Sequence, residues 1–265
     1  MSDHASAPPA GSAPWAPAAV LFCALLQIVT PTLPFIGIGE PIGAQSDSVR
    51  TLITPAGWAF SIWGPLYAGS IAFAVYQFLA PQRRSALLAQ IRLPAAGAFL
   101  GNALWAAYTQ LYGLSALSSA IILFTLLCLL TIFRRLIAWP GGFRTGERWL
   151  VALPLTALAA WLTVATIVNI SASLSYHGVS AGDAAGTIAA GILIVAGLIA
   201  AAALIGSRGN PPYALVFLWA MAAIHASGGQ AAPAVAAAAI VAALLVIAGA
   251  ILGWRRGGRA RWLKG

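Results

Sequence analysis

The chain has 265 residues, of which 61% are hydrophobic and only 7% charged, and its mean hydropathy is +0.90. A soluble domain carries roughly 25% charged residues, so a water-facing surface of ordinary size cannot be assembled from this composition. The formal charge of +9 does not point to nucleic acid, because the basic residues sit in short clusters between apolar runs and not on one continuous face.

Residues 1–16 are rich in Ala, Pro and Ser, lack hydrophobic periodicity and read as a disordered leader. A cleavable signal peptide needs a basic n-region. The first basic residue is Arg50, so the first apolar run is expected to stay in the mature protein. A spanning helix takes about 20 mostly apolar residues. Eight stretches qualify, all free of Asp, Glu, Lys and Arg: 18–38, 55–79, 93–113, 115–133, 149–176, 184–206, 212–230 and 232–254. The run Thr30-Pro31-Thr32-Leu33-Pro34 predicts that the outer end of the first is kinked or unwound. The seventh carries the weakest signal, because Gly228-Gly229-Gln230 follows its strongly apolar part. These stretches predict an all-α integral membrane protein of about eight transmembrane helices.

Charge orients the bundle. With both termini in the cytoplasm, Arg83, Arg84, Arg92, Arg134, Arg135, Arg144, Arg148, Arg208, Arg255, Arg256, Arg259, Arg261 and Lys264 all fall inside. Only Arg50 lies outside, as the positive-inside rule requires for the cell's inner membrane. Seven spans would carry the basic tail to the wrong side. Cys23 and Cys128 lie within apolar runs and read as small buried hydrophobes. The pairs Gly182/Gly186 and Gly249/Gly253, and the Ala run 236–239, predict close helix packing within the bundle or to a second copy of the chain.

Histidine is the one ionisable group within the spans, which lowers the expectation of an ion-coupled carrier. The informative residues are aromatic and amide. Of ten Trp, five (Trp15, Trp139, Trp149, Trp254 and Trp262) fall near span ends, where an interfacial belt accounts for them. Trp58, Trp63, Trp105, Trp161 and Trp219 lie within spans or at their Pro-marked starts and need core packing or a ligand pocket. Asn102 and Trp105 share a face of the third span, Trp161, Ala165 and Asn169 one face of the fifth, and Trp63 and Tyr67 are one turn apart. Asn102 and Asn169 are expected to face the bundle interior, bonded across helices or to a ligand. His177 and His225 are weak candidates for ligating a metal such as haem iron; a lone histidine at a membrane edge is more often a simple interfacial polar residue.

The run Thr54-Pro55-Ala56-Gly57-Trp58-Ala59-Phe60-Ser61-Ile62-Trp63-Gly64-Pro65-Leu66-Tyr67 resembles the second-helix signature of the TspO/MBR family, the tryptophan-rich sensory or translocator proteins. Asn102-x-x-Trp105 is similar to its third-helix pattern, and Trp161-x-x-x-Ala165-Thr166-x-x-Asn169 to its fifth. The likeness covers about residues 18–178 and implies a five-helix membrane domain over 17–178. A three-helix extension over 179–254 and a basic cytoplasmic tail over 255–265 would follow, as in a longer branch of the family. The resemblance implies a pocket for porphyrins or other flat hydrophobic ligands, with Trp58, Trp63, Tyr67, Asn102, Trp105, Trp161 and Asn169 as the ligand-binding candidates. Two features depart from the pattern. Trp58 and Trp63 are one residue closer than in short members, which turns one ring by about 100° relative to the other. Tyr176 is followed by no basic residue until Arg208, so a sterol motif is missing.

The favoured expectation is therefore a membrane receptor or regulator of a porphyrin-like or lipidic ligand. No cofactor is required, haem or porphyrin being the candidate ligand, and its partners would be lipids, that small molecule and a second copy. A permease is the alternative on the strength of its broken helices, although two repeated halves are not evident. An intramembrane tetrapyrrole-modifying enzyme is the third; it would have only Ser, Tyr and His for its chemistry, so the ligand would have to supply the rest.

Overall fold

Apolar runs too rich in Leu, Ala and Ile to be left in water fold into helices whose ends are marked by Pro, Ser, Asn and Gly. The computed structural model describes residues 13–140 and 142–263, so the leader expected over 1–16 lies largely outside the described residues. In chain order the α-helices are α1 Ala16–Val29, α2 Ile42–Ser48, α3 Trp63–Tyr76, α4 Ala86–Tyr112, α5 Ala116–Ala138, α6 Thr145–Glu147, α7 Leu153–Tyr176, α8 Ala185–Gly206, α9 Pro211–His225, α10 Gly228–Ala231, α11 Pro233–Arg255 and α12 Gly258–Trp262. There is no strand among the described residues.

Seven helical segments are long and apolar enough to cross a membrane: Ala16–Ile36, Gly57–Tyr76, Ala116–Ala138, Thr145–Tyr176, Gly182–Gly206, Pro211–Ala231 and Pro233–Arg255. The third expected span, 93–113, lies inside α4, which is 27 residues long but less apolar. That helix starts a full two turns earlier than its apolar run. Ser85 caps it by accepting the Leu88 N–H at 3.3 Å, and Arg92 is drawn into its first turns. The Arg92 guanidinium is buried, donating to Gln77 Oε1 at 3.2 Å and to the Gln82 carbonyl at 2.9 Å. It thereby fastens the α3–α4 turn. The first span ends in the 3₁₀ turn Thr30–Ile36, as its two prolines predict.

Packing closes α1, α4, α5, α7 and α3 into a ring, each helix on the next and α3 back on α1. α9 lies on the outside of α7, and α11 joins α9 to α8. α7 is consequently enclosed on nearly all sides. Asn210 ties α9 to it: its Oδ1 caps α9 by accepting the Tyr213 N–H at 3.1 Å and also accepts from Thr156 of α7 at 3.1 Å.

Without a hydrophobic gradient between helix and lipid, close backbone approach carries much of the association. α8 and α11 meet most extensively, and a Cβ at Gly249 would come within 2.6 Å of Ala201 Cα. A Cβ at Gly197 would come within 2.7 Å of Ala242 Cα. The Gly249/Gly253 pair thus serves packing inside the chain, whereas Gly182 faces open space and a Cβ at Gly186 would only touch Ala232 Cβ at 4.0 Å. Trp15 and Trp149 are exposed near span ends, as a belt predicts. Trp262 is not a belt residue: it is buried, and its indole N–H donates to the Ser207 carbonyl at 3.3 Å. The basic tail folds back against the bundle as α12 instead of extending away from it.

Candidate functional site

The second span does not begin as a regular helix. Pro55 supplies no N–H and the chain runs through the 3₁₀ turn Gly57–Ile62 before α3 starts at Trp63. That places the Trp63 indole at the head of a helix, facing inward. It stacks on Tyr67, with ring centres 5.1 Å apart and planes at 26°. It lies nearly parallel to Trp105 of α4, at 6.4 Å and 28°, and edge-on to Trp161 of α7, at 6.2 Å and 87°. Phe60 meets Trp161 edge-on at 6.3 Å. Three spans distant in sequence bring rings to one point, each such pair adding about 0.5–1.5 kcal/mol beyond burial.

These rings line a narrow cleft with about 510 Å³ of open space, mouth included. Trp161, Ala165 and Asn169 all line it, as their i, i+4, i+8 spacing predicts. Ile42 and Ser46 of α2 close one side, and Pro55 and Leu114 come from the adjoining loops. The described lining residues include no Asp, Glu, Lys, Arg or His. The Asn169 amide is held at one end by α5, where Ser118 Oγ and Ser119 Oγ lie 2.9 and 3.0 Å from Oδ1. Asn169 is also a lining residue, so it both bonds across helices and lines the site.

The remaining candidates sit elsewhere. Asn102 is 1% exposed and absent from the cleft lining; its Nδ2 donates to Gln27 Oε1 of α1 at 3.2 Å. Tyr67 lies between, its ring against Trp63 and its hydroxyl interacting with Asn102. Trp58, in the 3₁₀ turn, is half exposed and packs edge-on against Trp219 of α9 at 4.7 Å. His177 Nε2 accepts the Ala116 N–H at 3.4 Å, and His225 Nδ1 is buried without a partner among the described residues. No group of three or more His, Cys, Asp or Glu placed to hold a metal occurs among the described residues.

Sequence reasoning missed Phe60, Leu114, Ile42 and Ser46. Phe60 stood inside the second-span motif, and Ile42 and Ser46 are spaced one helical turn apart. α2, however, is only seven residues long and lies outside every apolar run.

The ring of apolar helices defines the class: a multi-pass, all-helical membrane protein. The chain belongs to the TSPO-like protein family, whose match runs over residues 15–252 and so takes in the last three spans as well as the first five. Neither a curated protein nor a solved structure matches the chain significantly.

Proposed function

We propose that the chain is a receptor or regulator of the inner membrane, with both termini cytoplasmic, that binds a porphyrin-like or other flat hydrophobic ligand. The ligand lies in the cleft against Trp63, Trp105 and Trp161. The observation that carries this reading is the convergence of those three rings, from three separate spans, on one largely apolar cleft. A flat π-system there exchanges lipid for aromatic faces and edges, which favour offset and edge-to-face contact. With no acid or base among the described lining residues, the site is suited to holding an apolar ligand.

The test is a tryptophan-quenching titration with protoporphyrin in lipid nanodiscs, run beside Trp63→Phe and Trp161→Phe. Saturable quenching that weakens in both variants supports the reading. Quenching that never saturates and is equal in all three proteins overturns it. Protoporphyrin flux in proteoliposomes, measured in parallel, distinguishes a permease from a receptor.

A further inference from the structure

We infer that the cleft selects flat ligands bearing a neutral carbonyl oxygen at the ring edge over hydrocarbons of the same shape, an inference that rests on the cleft being the ligand site. Indole N–H groups can only donate, so no amide flip or tautomer can hide an unmet need. Among the described tryptophans only Trp105 and Trp161 have a buried indole N–H without an acceptor. The two rings are 6% and 3% exposed, and both line the cleft.

Elsewhere the fold finds acceptors for such donors. Trp219 Nε1 donates to the Ala59 carbonyl at 3.1 Å and Trp262 Nε1 to the Ser207 carbonyl at 3.3 Å. A buried donor with no acceptor is costly in an apolar medium, where water cannot step in. Both donors belong to rings that line one cleft, and a ligand acceptor that reached them would satisfy them. The lack of a cation in the described lining sets the charge of that acceptor. A carboxylate held there would be buried without a counter-ion, whereas a carbonyl needs only the N–H donors.

Fluorenone and fluorene provide the test, being flat tricyclic molecules that differ by a carbonyl in place of a methylene. Each competes with protoporphyrin for the protein in nanodiscs, with quenching as the readout. The inference expects fluorenone to displace protoporphyrin about tenfold more tightly than fluorene, which corresponds to about 1.4 kcal/mol. The preference should vanish in the Trp105→Phe/Trp161→Phe double variant, which keeps the aromatic rings and removes the N–H groups. Equal displacement by the two probes, a preference that survives in the double variant, or failure of both probes where protoporphyrin binds would each overturn the inference and leave the proposed function standing. Failure of protoporphyrin itself to bind saturably would overturn both.

Discussion

Arg50, the first basic residue of the chain, donates from Nη1 to Ser227 Oγ at 2.9 Å and so joins the loop after α2 to the turn between α9 and α10. The same guanidinium pairs with Asp47 of α2. Three neighbouring contacts follow this path. The Ala56 N–H donates to the Ala223 carbonyl at 3.0 Å, the Leu52 carbonyl is seated on Gly228 where any Cβ would collide, and Trp219 bonds the Ala59 carbonyl. Segment 50–60, which carries the cleft residues Pro55 and Phe60, is therefore gripped by α9 and the turn that follows it.

Breaking the grip should alter ligand exchange more than stability. Arg50 is exposed, and exposed ion pairs are worth about 0–1 kcal/mol. Arg50→Ala is expected to leave unfolding in mixed micelles within about 0.5 kcal/mol of the parent. Protoporphyrin dissociation, followed by stopped-flow fluorescence, should quicken several-fold. An unchanged dissociation rate would mean that the other contacts hold the loop alone.

The two tryptophans of the second-span motif should behave oppositely. Trp63 touches three other rings of the cluster, whereas Trp58 packs on Trp219 at the outer flank. Trp63→Phe should weaken protoporphyrin binding about tenfold, losing contacts worth about 1.4 kcal/mol. Trp58→Phe should leave the affinity within about twofold, since its ring does not line the cleft. Equal losses in a quenching titration would return Trp58 to the site.

Much of this arrangement was legible from periodicity. The i, i+4, i+8 face of the fifth span, the interior placement of Asn102 and Asn169, and the unwound end of the first span all depend on local spacing. Helical geometry fixes local spacing. The partners of those residues did not follow from it. Asn102 meets Gln27 across 75 positions, and Asn169 meets Ser118 and Ser119 across about 50. Such pairs depend on which helices pack together, and one sequence carries no signal for that. α2 escaped because seven residues make too short a run to show a period. Trp262 was misread because proximity to a span end says nothing of whether the chain turns back.

That turn is held by Arg261. Its guanidinium donates to the Leu136 carbonyl and, at 2.7 Å, to that of Trp139, the exposed carbonyl end of α5, while lying 4.2 Å from the centre of the Phe143 ring. A cation suits a helix C-terminus, where carbonyls lack partners and the helix dipole is negative. Arg261→Ala is expected to cost about 2 kcal/mol, the scale of hydrogen bonds to a charged group. Arg261→Lys should recover only part of this, since one ammonium lacks the planar fork that reaches both carbonyls. Limited proteolysis should cut after residue 255 faster in the Ala variant than in the parent. Equal cutting would mean that Trp262 holds the tail without it.

The amide pair behind the aromatic cluster allows the packing of the ring to be tested directly. Gln27 and Asn102 are fully buried between α1 and α4 and share one bond, leaving Gln27 Nε2 and Asn102 Oδ1 without partners by hydrogen-bond geometry. Gln27→Leu leaves the Asn102 amide with only the Tyr67 hydroxyl beside it, and Asn102→Leu strands the amide of Gln27. Each single variant should lose about 1–3 kcal/mol, the cost of an unsatisfied buried group. The double variant removes both needs at once and fills the space with apolar atoms. It should lose less than the sum of the singles, the difference being about 0.6–1.7 kcal/mol by analogy with measured interhelical bonds in membranes. Reversible unfolding of all four proteins gives the cycle. Strict additivity would show that α1 and α4 are held by backbone approach alone and that the amides meet there without consequence.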